Sequence, residues 1–506
     1  MKKDIRQKLN SKKRRIKKRL AKAAKSKDNG PMLSGSNIHY DVSEKVNGIA
    51  HGGIGAIHKM VKKVELDQRI DENLHLLVRH RPYHESDHVL NIAYNSLCNG
   101  RVLEDIELRR NDWALLDALG TESLPDPTTA GDFCRRFTPQ AINTLMDTLN
   151  DVRLKVWKQQ PASFTNETAR IDADGTFVPT TGECKEGMDI FYKGGWGYHV
   201  LVVSLANTAE PLFLLNRSGN RPSHEGVVEY YDKAVALCRK AGFKDILLRG
   251  DTDFSLTSQF DRWTDDGVRF AFGYNVHPTL VNWANSAPPE LYEEFVKKTE
   301  HALKTKPRKR PENVKEKIVR ERGYKNIRTE SEEVVDFEYQ PRKCKRPYRI
   351  VAFRKNLSIE KGEEVLIPEI RYFFYVTNDW NLTPQQVVQE CHKRCNQENL
   401  LQQLKTGMRA LHAPVDTLNA NWAFMVMASL AWSLKAWMGL LLPVAPRWKD
   451  RHEEEKRQII RMDFRTFLAA FINIPAQIVR TGRKIVYRFL SWNRWQPVFF
   501  RFLDGL

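Results

Sequence analysis

The stretch ARIDADGTFVP, residues 169–179, alternates between polar and apolar side chains, a pattern typical of a half-buried β-strand. The alternation places Asp172, Asp174 and Thr176 on one face of the predicted strand and apolar side chains on the other. Before this stretch, from about residue 40, the apolar spacing is helical. The chain therefore changes from helix to strand near residue 170 and carries acids on one strand face.

A second acid follows a strand of a different kind. The stretch DILLRGDTDF, residues 245–254, contains a continuous apolar run at 246–248, as expected for a strand covered on both faces, and the strand ends in Asp251. Two hairpin strands and a helix over about 223–241 precede it, and a helix over about 255–266 and a further strand follow. The order β-β-β-α-β-α-β predicts an α/β fold.

A third acid lies in the helical stretch LTPQQVVQECHKRCNQENLLQQLKTG, residues 382–407. On an ideal helix Glu398 lies roughly 40° from Arg394 and Lys405 lies roughly 20° from Glu398, so one stripe presents base, acid and base. An ion pair on a solvated face explains such a stripe and contributes only about 0.3–0.5 kcal/mol. A carboxylate between fixed cations also suits a site where a metal and a phosphate chain are held together.

The composition indicates a basic, multidomain globular protein. Its 506 residues are 41% hydrophobic, and 81 Lys and Arg residues exceed 62 acids to give a net charge of +19 and a pI near 9.5. This imbalance favours a polyanionic partner, nucleic acid first and an anionic membrane surface second. Seven scattered cysteines indicate neither a disulfide scaffold nor a zinc ribbon, and a reducing cytoplasm fits them.

Two segments bear on targeting. The basic N-terminus has no apolar core behind it, so nothing predicts export. The apolar stretch 422–445 approaches membrane-spanning length, but Ser433 and Lys435 interrupt it and no second such segment exists. A buried helix of a large core is the favoured interpretation, and a membrane span is the alternative.

The predicted organisation has six segments, defined by shifts in composition and periodicity. They are a basic disordered arm (1–35), a helical DNA-binding domain (36–165), the first part of the α/β core (166–276), an inserted and partly β subdomain (277–370), the second part of the core with the Glu398 helix (371–445), and a basic helical C-terminal region (446–506).

One helix of the N-terminal domain is a candidate DNA reader. The stretch LPDPTTAGDFCRRF, residues 124–137, predicts a helix that opens near Thr128 and carries Arg135 and Arg136 further along. Such a helix resembles a major-groove reader, and an ordinary capped helix with a basic face is an equal alternative.

The three acids define a candidate catalytic site. Ligands in sheets of this kind bind where strands end. If the first predicted strand, which carries Asp174, lies beside the fourth, which ends in Asp251, the two aspartates come together. Converging carboxylates repel one another unless divalent cations lie between them, and magnesium prefers oxygen ligands. Two ions can activate a water or a 3′-hydroxyl on one side of a phosphodiester and stabilise the leaving oxygen on the other. Asp172 shares a face with Asp174, so either could be the first ligand, whereas Asp253 is explained as a turn acid.

The order of elements, the acid positions and the insertion before the last acid resemble the RNase H-like DDE transposases of bacterial insertion sequences. The phrases IDADGTFVPTTG (171–182) and LLRGDTDF (247–254) resemble the first- and second-aspartate motifs of the group called insertion-sequence family thirteen-eighty. The related family four carries the signature Tyr, two residues, Arg, three residues, Glu, six residues, Lys. This chain matches it at Arg394, Glu398 and Lys405, and it departs at the first position, where Cys391 replaces the tyrosine.

The resemblance implies an RNase H-like core with a mixed five-stranded sheet and helices, a β-rich insertion before the last catalytic acid, and helical N-terminal and C-terminal regions. It favours Asp174 over Asp172, because the Asp-Gly-Thr phrase matches the family's placement. Asp174, Asp251 and Glu398 would then hold two Mg²⁺ ions, for which Mn²⁺ can substitute, while Arg394 and Lys405 neutralise phosphates.

The same resemblance implies partners and a location. The partners would be double-stranded DNA, both terminal inverted repeats and target, bound by a homodimer that pairs two ends and forms hairpin-ended intermediates. The protein would act on the nucleoid in a bacterial cytoplasm and not on a membrane. Two other functions stay open at this point: a non-catalytic or domesticated DNA-binding protein, and a metal-dependent nuclease without a joining step.

Overall fold

The structure, a computed structural model, describes residues 2–23, 38–40, 48–80, 82–295, 314–322, 328–360, 363–482 and 484–506. Its strands form one ten-stranded and one three-stranded sheet. In chain order they are β1 (Gly48–Ile49), β2 (Ala169–Pro179), β3 (Asp189–Ile190), β4 (Trp196–Leu205), β5 (Glu210–Ser218), β6 (Ile246–Gly250), β7 (Arg269–Tyr274), β8 (Glu293–Glu294), β9 (Arg328–Tyr339), β10 (Tyr348–Glu360), β11 (Glu363–Thr377), β12 (Ala476–Thr481) and β13 (Lys484–Phe489).

Helices surround the sheets. In chain order they are α1 (Lys3–Ala23), α2 (Ile54–Lys63), α3 (Leu66–Asn73), α4 (Glu85–Leu97), α5 (Ile106–Arg110), α6 (Trp113–Leu119), α7 (Pro127–Arg135), α8 (Pro139–Trp157), α9 (Ala162–Thr165), α10 (Val227–Ala241), α11 (Thr257–Asp265), α12 (Pro278–Ser286), α13 (Val314–Arg322), α14 (Pro384–His392), α15 (Cys395–Gln402), α16 (Leu418–Leu440), α17 (Lys449–Arg461), α18 (Phe464–Phe467) and α19 (Gln496–Gly505). Short 3₁₀ turns occupy Leu103–Asp105, Thr252–Phe254, Pro289–Leu291 and Pro446–Trp448, and π-helical turns occupy Gln403–Gly407 and Leu468–Ile472.

The ten-stranded sheet is mixed, which confirms the predicted α/β class. Its strand order is β3-β4-β2-β6-β7-β11-β10-β9-β8, with β5 paired to β4. Strands β2, β6 and β7 run parallel to one another, and the other neighbours are antiparallel. The five strands β5-β4-β2-β6-β7 come from residues 166–276, the segment predicted as the first part of the core.

The segment predicted as an inserted, partly β subdomain (277–370) contributes strands to the same sheet. Strand β11 begins in that segment and continues into the next, where residues 374–377 pair with residues 271–274 of β7. The open edge of β7 offers unpaired backbone groups, which an added strand satisfies. The sheet is therefore continuous from the first acidic strand to the strand that precedes the Glu398 helix.

Helix α16 forms the centre of the molecule. Every residue of α16 from Ala420 onward is buried, and the helix packs against β5, α4, α8 and α17. By length and composition this helix could cross a membrane, and it is the one described helix with that property. All of its apolar window is enclosed by protein, which supports the interpretation as a core helix.

The basic N-terminus also differs from the prediction. Residues 3–23 form a helix where a disordered arm was expected, and residues 24–35 of that arm lie outside the described residues. Alanine, leucine, lysine and arginine all favour helix, and Leu9 is buried. Lys12 Nζ donates to the carbonyl oxygens of Phe489, at 2.9 Å, and Leu490, at 3.2 Å, so the helix is anchored beside β13.

Candidate active site

The two aspartates lie on neighbouring parallel strands. In the ladder between β2 and β6, Asp172 lies opposite Arg249. Asp174 and Asp251 each follow two residues later, so both lie beyond this ladder, at the same edge of the sheet. Asp251 also caps the turn that follows β6, because its Oδ1 accepts a hydrogen bond of 3.0 Å from the backbone N–H of Asp253.

The Glu398 helix reaches this edge in two pieces. Thr383 caps α14 in a reciprocal capping box with Gln386, as the Thr-Pro start predicted, and α14 ends at His392. Helix α15 then packs against β2, and Gln397 attaches it to the neighbouring strand β4, because the buried side-chain amide donates to the Val202 carbonyl at 3.1 Å. Arg394 lies at the junction of the two helices.

One guanidinium connects the acids. Nη1 of Arg394 lies 3.2 Å from Asp174 Oδ2, and Nη2 lies 3.8 Å from Glu398 Oε1. Burial lowers the pKa of Arg394, but the charges of Asp174, Asp251 and Glu398 outweigh that effect and raise it. The structure thus brings Asp174 and Glu398 to a single cation, whose pKa the charge of Asp251 also raises.

Burial dominates the titration of the two aspartates. It raises the pKa of Asp174 to about 6, although the charge of Arg394 lowers it, and the charges of Asp251 and Glu398 raise it further. Burial also raises the pKa of Asp251, again against the charge of Arg394. Carboxylates in such surroundings are stabilised in their ionised form by added positive charge.

The three acids are the candidate magnesium ligands. Within the described residues no group of three or more His, Cys, Asp and Glu side chains is close enough to hold a metal ion. The donor set is nevertheless all oxygen, which is what Mg²⁺ prefers, and Asp174 and Glu398 already share one cation. The residues fit a divalent ion in chemistry, and Arg394 provides the countercharge that such an ion would supply.

Asp172 is engaged elsewhere. Both of its carboxylate oxygens accept hydrogen bonds from Arg249, from Nε at 2.7 Å and from Nη2 at 2.9 Å, and both side chains are 1% exposed. Of the two candidate ligands on β2, Asp174 is the one beside Arg394. Asp253 is exposed and contributes a backbone N–H to the turn after β6.

Lys405 contacts the strand that carries Asp174. It lies in the π-helical turn Gln403–Gly407, and its Nζ donates to the Phe177 carbonyl at 2.7 Å and to Thr176 Oγ1 at 3.2 Å. Gln403 sustains this turn, because its side chain accepts from the Phe464 N–H and donates to Asp463. Lys405 therefore lies two to three residues along β2 from Asp174.

The predicted DNA-reading helix exists as α7. Asp126 caps it by accepting from the Thr129 N–H at 2.9 Å, and Thr128, Arg135 and Arg136 are exposed. Arg135 is already paired, with Nε 2.7 Å from an oxygen of Asp416 and a second contact to an acid on its own helix. These residues lie on a separate element from the three acids.

Sequence reasoning missed a buried cluster of charges beneath the acids. Nη1 of Arg249 lies 3.2 Å from Glu390 Oε2, and Arg170 binds the same carboxylate through Nε at 2.8 Å and Nη2 at 3.1 Å. The available signal was Arg249 itself, an arginine inside the otherwise apolar run of β6. A buried arginine requires an acidic partner, and local spacing does not identify partners that lie far away in the chain.

A cavity of about 330 Å³ opens beside Asp251 and Arg394. Its lining includes four aromatic residues, Tyr274, Phe373, Phe374 and Tyr375. A larger cavity, about 410 Å³, lies among the N-terminal helices, and its described lining includes none of the predicted site residues.

A family model described as transposase DDE domain group 1 matches residues 45–506. No curated protein matches the chain. Among solved structures, one titled cryo-EM structure of piggyBac transposase synaptic complex with hairpin DNA is similar at 11% identity and a TM-score of 0.32, covering 81% of this chain and 85% of that chain. A TM-score this low carries no argument about the fold or the site.

Proposed function

The chain belongs to the family of transposases with a DDE domain of group 1, and from this we propose that it moves a bacterial insertion sequence by a cut-and-paste reaction. The family implies an enzyme that binds and cleaves DNA. The finer proposal is that the element belongs to insertion-sequence family thirteen-eighty and that the protein both cleaves its ends and joins them to target DNA. The observation that carries it is the arrangement of Asp174, Asp251 and Glu398 around Arg394.

We propose that these three acids hold two magnesium ions, or manganese ions in their place. When bound, such ions activate the attacking water or 3′-hydroxyl and neutralise charge on the leaving oxygen. The chain's own part is to hold Asp174 and Asp251 on adjacent strands and Glu398 on a helix that closes over them. The five strands β5-β4-β2-β6-β7, with the insertion between β7 and α14, support an RNase H-like core.

The cations have a distinct role. Arg394 lies among the carboxylates, and Lys405 lies along β2 from Asp174, so both can face a backbone that crosses the strand ends. Positive charge placed where negative charge develops on the transferring phosphoryl group stabilises the transition state. We propose that both residues neutralise phosphates next to the scissile bond.

The remaining basic surface would bind DNA outside the active site. A net charge of +19 suits double-stranded DNA, both the terminal inverted repeats and the target. Thr128 and Arg135 of α7, and Arg136 directly after it, are proposed as contacts, with Arg135 exchanging Asp416 for a phosphate. Pairing of two ends by a homodimer, hairpin-ended intermediates, and a nucleoid-associated site of action in the cytoplasm belong to the same proposal.

The experiment uses a labelled duplex that carries the element's own end, taken from the inverted repeats that flank the gene. Purified protein with Mg²⁺ is expected to cleave it, and pre-cleaved ends are expected to join to a plasmid. Cleavage without joining would identify a nuclease. Specific binding without cleavage by the unsubstituted protein would identify a non-catalytic DNA-binding protein.

A further inference from the structure

A buried cluster of charges lies directly beneath the candidate active site. We call Asp172, Arg249 and Glu390 the ion-pair cluster. Arg249 binds Asp172 with two nitrogens, at 2.7 and 2.9 Å, and Glu390 Oε2 with a third, at 3.2 Å. The side chains of Arg249 and Asp172 are each 1% exposed and that of Glu390 is 11% exposed.

Each member of the ion-pair cluster comes from a different segment that carries a proposed ligand. Asp172 precedes Asp174 by two residues on β2. Arg249 precedes Asp251 by the same interval on β6. Glu390, in α14, precedes Glu398 by eight residues within the stretch 382–407. The cluster therefore joins all three segments at one point.

The two strands do not need this cluster for their relative placement, because backbone hydrogen bonds already pair β2 with β6. Helix α14 is not part of that ladder, and it packs on the sheet through side chains that include Val387 and Val388. Glu390 supplies the charged part of that attachment, through Arg249 and through two hydrogen bonds from Arg170 at 2.8 and 3.1 Å.

Stability alone explains the cluster poorly. The desolvation cost of a buried ion pair is comparable to its Coulomb gain, and apolar residues of similar volume often serve as well or better. What a two-pronged guanidinium–carboxylate contact adds is a fixed orientation. Burial raises the pKa of Glu390, but the hydrogen bond and charge of Arg170, with the charges of Lys393 and Arg249, outweigh it and lower the pKa to about 2, so the carboxylate stays ionised.

We propose that Glu390 and Arg249 are positioning residues that set the Arg394–Glu398 segment over Asp174 and Asp251, with Asp172 holding the guanidinium of Arg249 in place. This inference rests on the proposed function, since it assigns the ion-pair cluster to the geometry of the metal-binding acids. Neither residue touches DNA or metal, and both act through the acids.

The test compares Glu390→Gln with Glu210→Gln in the full-length protein. Glu210 is a matched control, because it forms a buried ion pair of 3.0 Å with Arg153, with side chains 0% and 3% exposed. Two readouts are taken for each variant: the rise in melting temperature on titration with Mn²⁺, and the Mg²⁺ dependence of cleavage on a pre-bound end duplex.

We expect Glu390→Gln to weaken the Mn²⁺ response and to slow cleavage at fixed Mg²⁺ by about 10–100-fold, the usual effect of removing a group that orients metal ligands. Excess metal should recover part of the rate. Glu210→Gln should lower the melting temperature without changing the metal dependence of cleavage. Equal metal dependence in both variants would overturn the inference.

A triple variant covers the case in which Glu390→Gln fails to fold. Replacing the ion-pair cluster by apolar residues, Asp172→Leu with Arg249→Met and Glu390→Leu, removes the buried charges together. A stable triple variant with impaired metal response supports positioning, and a stable variant with normal metal response and cleavage overturns it. If the unsubstituted protein shows neither a Mn²⁺ response nor cleavage, the proposed function fails, and this inference fails with it. A Mn²⁺ response without cleavage removes only the proposed reaction.

Discussion

The guanidinium of Arg394 lies 3.2 Å from the carboxylate of Asp174, 220 residues earlier in the chain. The same side chain lies 3.8 Å from Glu398, one turn further along. A cation built into the chain thus stands between acids that would otherwise repel one another. Any divalent ion that enters must share those carboxylates with Arg394.

Asp251→Asn and Glu398→Gln are each expected to abolish strand cleavage and to leave binding to the element's ends largely intact. The reason is that a lost carboxylate ligand should cost far more than the roughly 1.4 kcal/mol that a tenfold change represents. Cleavage of a labelled end in Mg²⁺ measures the effect. Asp253→Asn is the control, since that acid is exposed two residues away. A ligand variant that cleaves within about tenfold of the parent would remove that acid from the site.

Lys405→Gln is expected to slow both cleavage and joining steeply. Because the lysine donates two hydrogen bonds to β2, its loss should also lower the free energy of unfolding by about 1–3 kcal/mol. Its positive charge is lost beside β2, where the transferring phosphoryl group gains negative charge. The rate should be measured on a pre-bound end at saturating protein, so that weaker binding does not mimic lost chemistry. Lys449→Gln, whose side chain is 68% exposed in α17, is the control. A normal rate for Lys405→Gln would leave Glu398 as the functional residue of this segment.

Deletion of residues 2–23, which removes α1, is expected to weaken binding to end-containing and random duplexes by similar factors. Each phosphate contact that is lost should reduce the salt dependence of binding, by about 0.9 in the slope of log K against log salt. Fluorescence anisotropy at several salt concentrations measures both quantities. Loss of specific binding alone would instead place sequence recognition in α1.

Lys435→Met is expected to stabilise the protein in a pH-dependent way. Burial lowers the pKa of Lys435 to about 7, although its Nζ donates to the Ile460 carbonyl at 2.9 Å and lies 3.7 Å from the centre of the Trp432 ring. The unfolded chain therefore binds more protons than the folded chain between about pH 7 and pH 10.4, so this residue makes stability rise with pH in that window. Its full cost applies below about pH 7.

The corresponding measurement is the melting temperature at pH 6 and at pH 10. Lys435→Met should gain about 1 kcal/mol or more at pH 6 and less at pH 10. The exposed Lys449→Met serves as the control and should show no such difference. If Lys435→Met gained the same stability at both pH values, Lys435 would keep one charge state between pH 6 and pH 10, and the prediction would be wrong.

The sequence predicted the elements that depend on local pattern. Alternation around Asp174, the apolar run before Asp251 and the Thr383-Pro384 helix start each correspond to an element of the structure. These signals come from neighbouring residues, whose spacing determines which face is buried. The assignment of the acids as metal ligands stays a prediction.

What could not be predicted depends on contacts between distant segments. The pairing of Asp172 with Arg249 joins residues 77 positions apart and follows from the register of β2 and β6. The π-helical turn at Lys405 depends on Gln403 meeting Asp463, 60 positions later. The addition of β11 to the edge of β7 likewise requires the folded sheet.

The burial of α16 has a consequence for how the molecule comes apart. One helix packs against β5 of the sheet, α4 and α8 of the N-terminal region and α17 of the C-terminal region. Cutting the chain at 165 or 445 would separate α16 from some of the elements that it packs against. Each fragment would then expose a large apolar surface that is buried in the intact chain. We therefore expect the described parts of the chain to unfold in a single cooperative transition, and isolated fragments to aggregate where the intact chain stays dispersed.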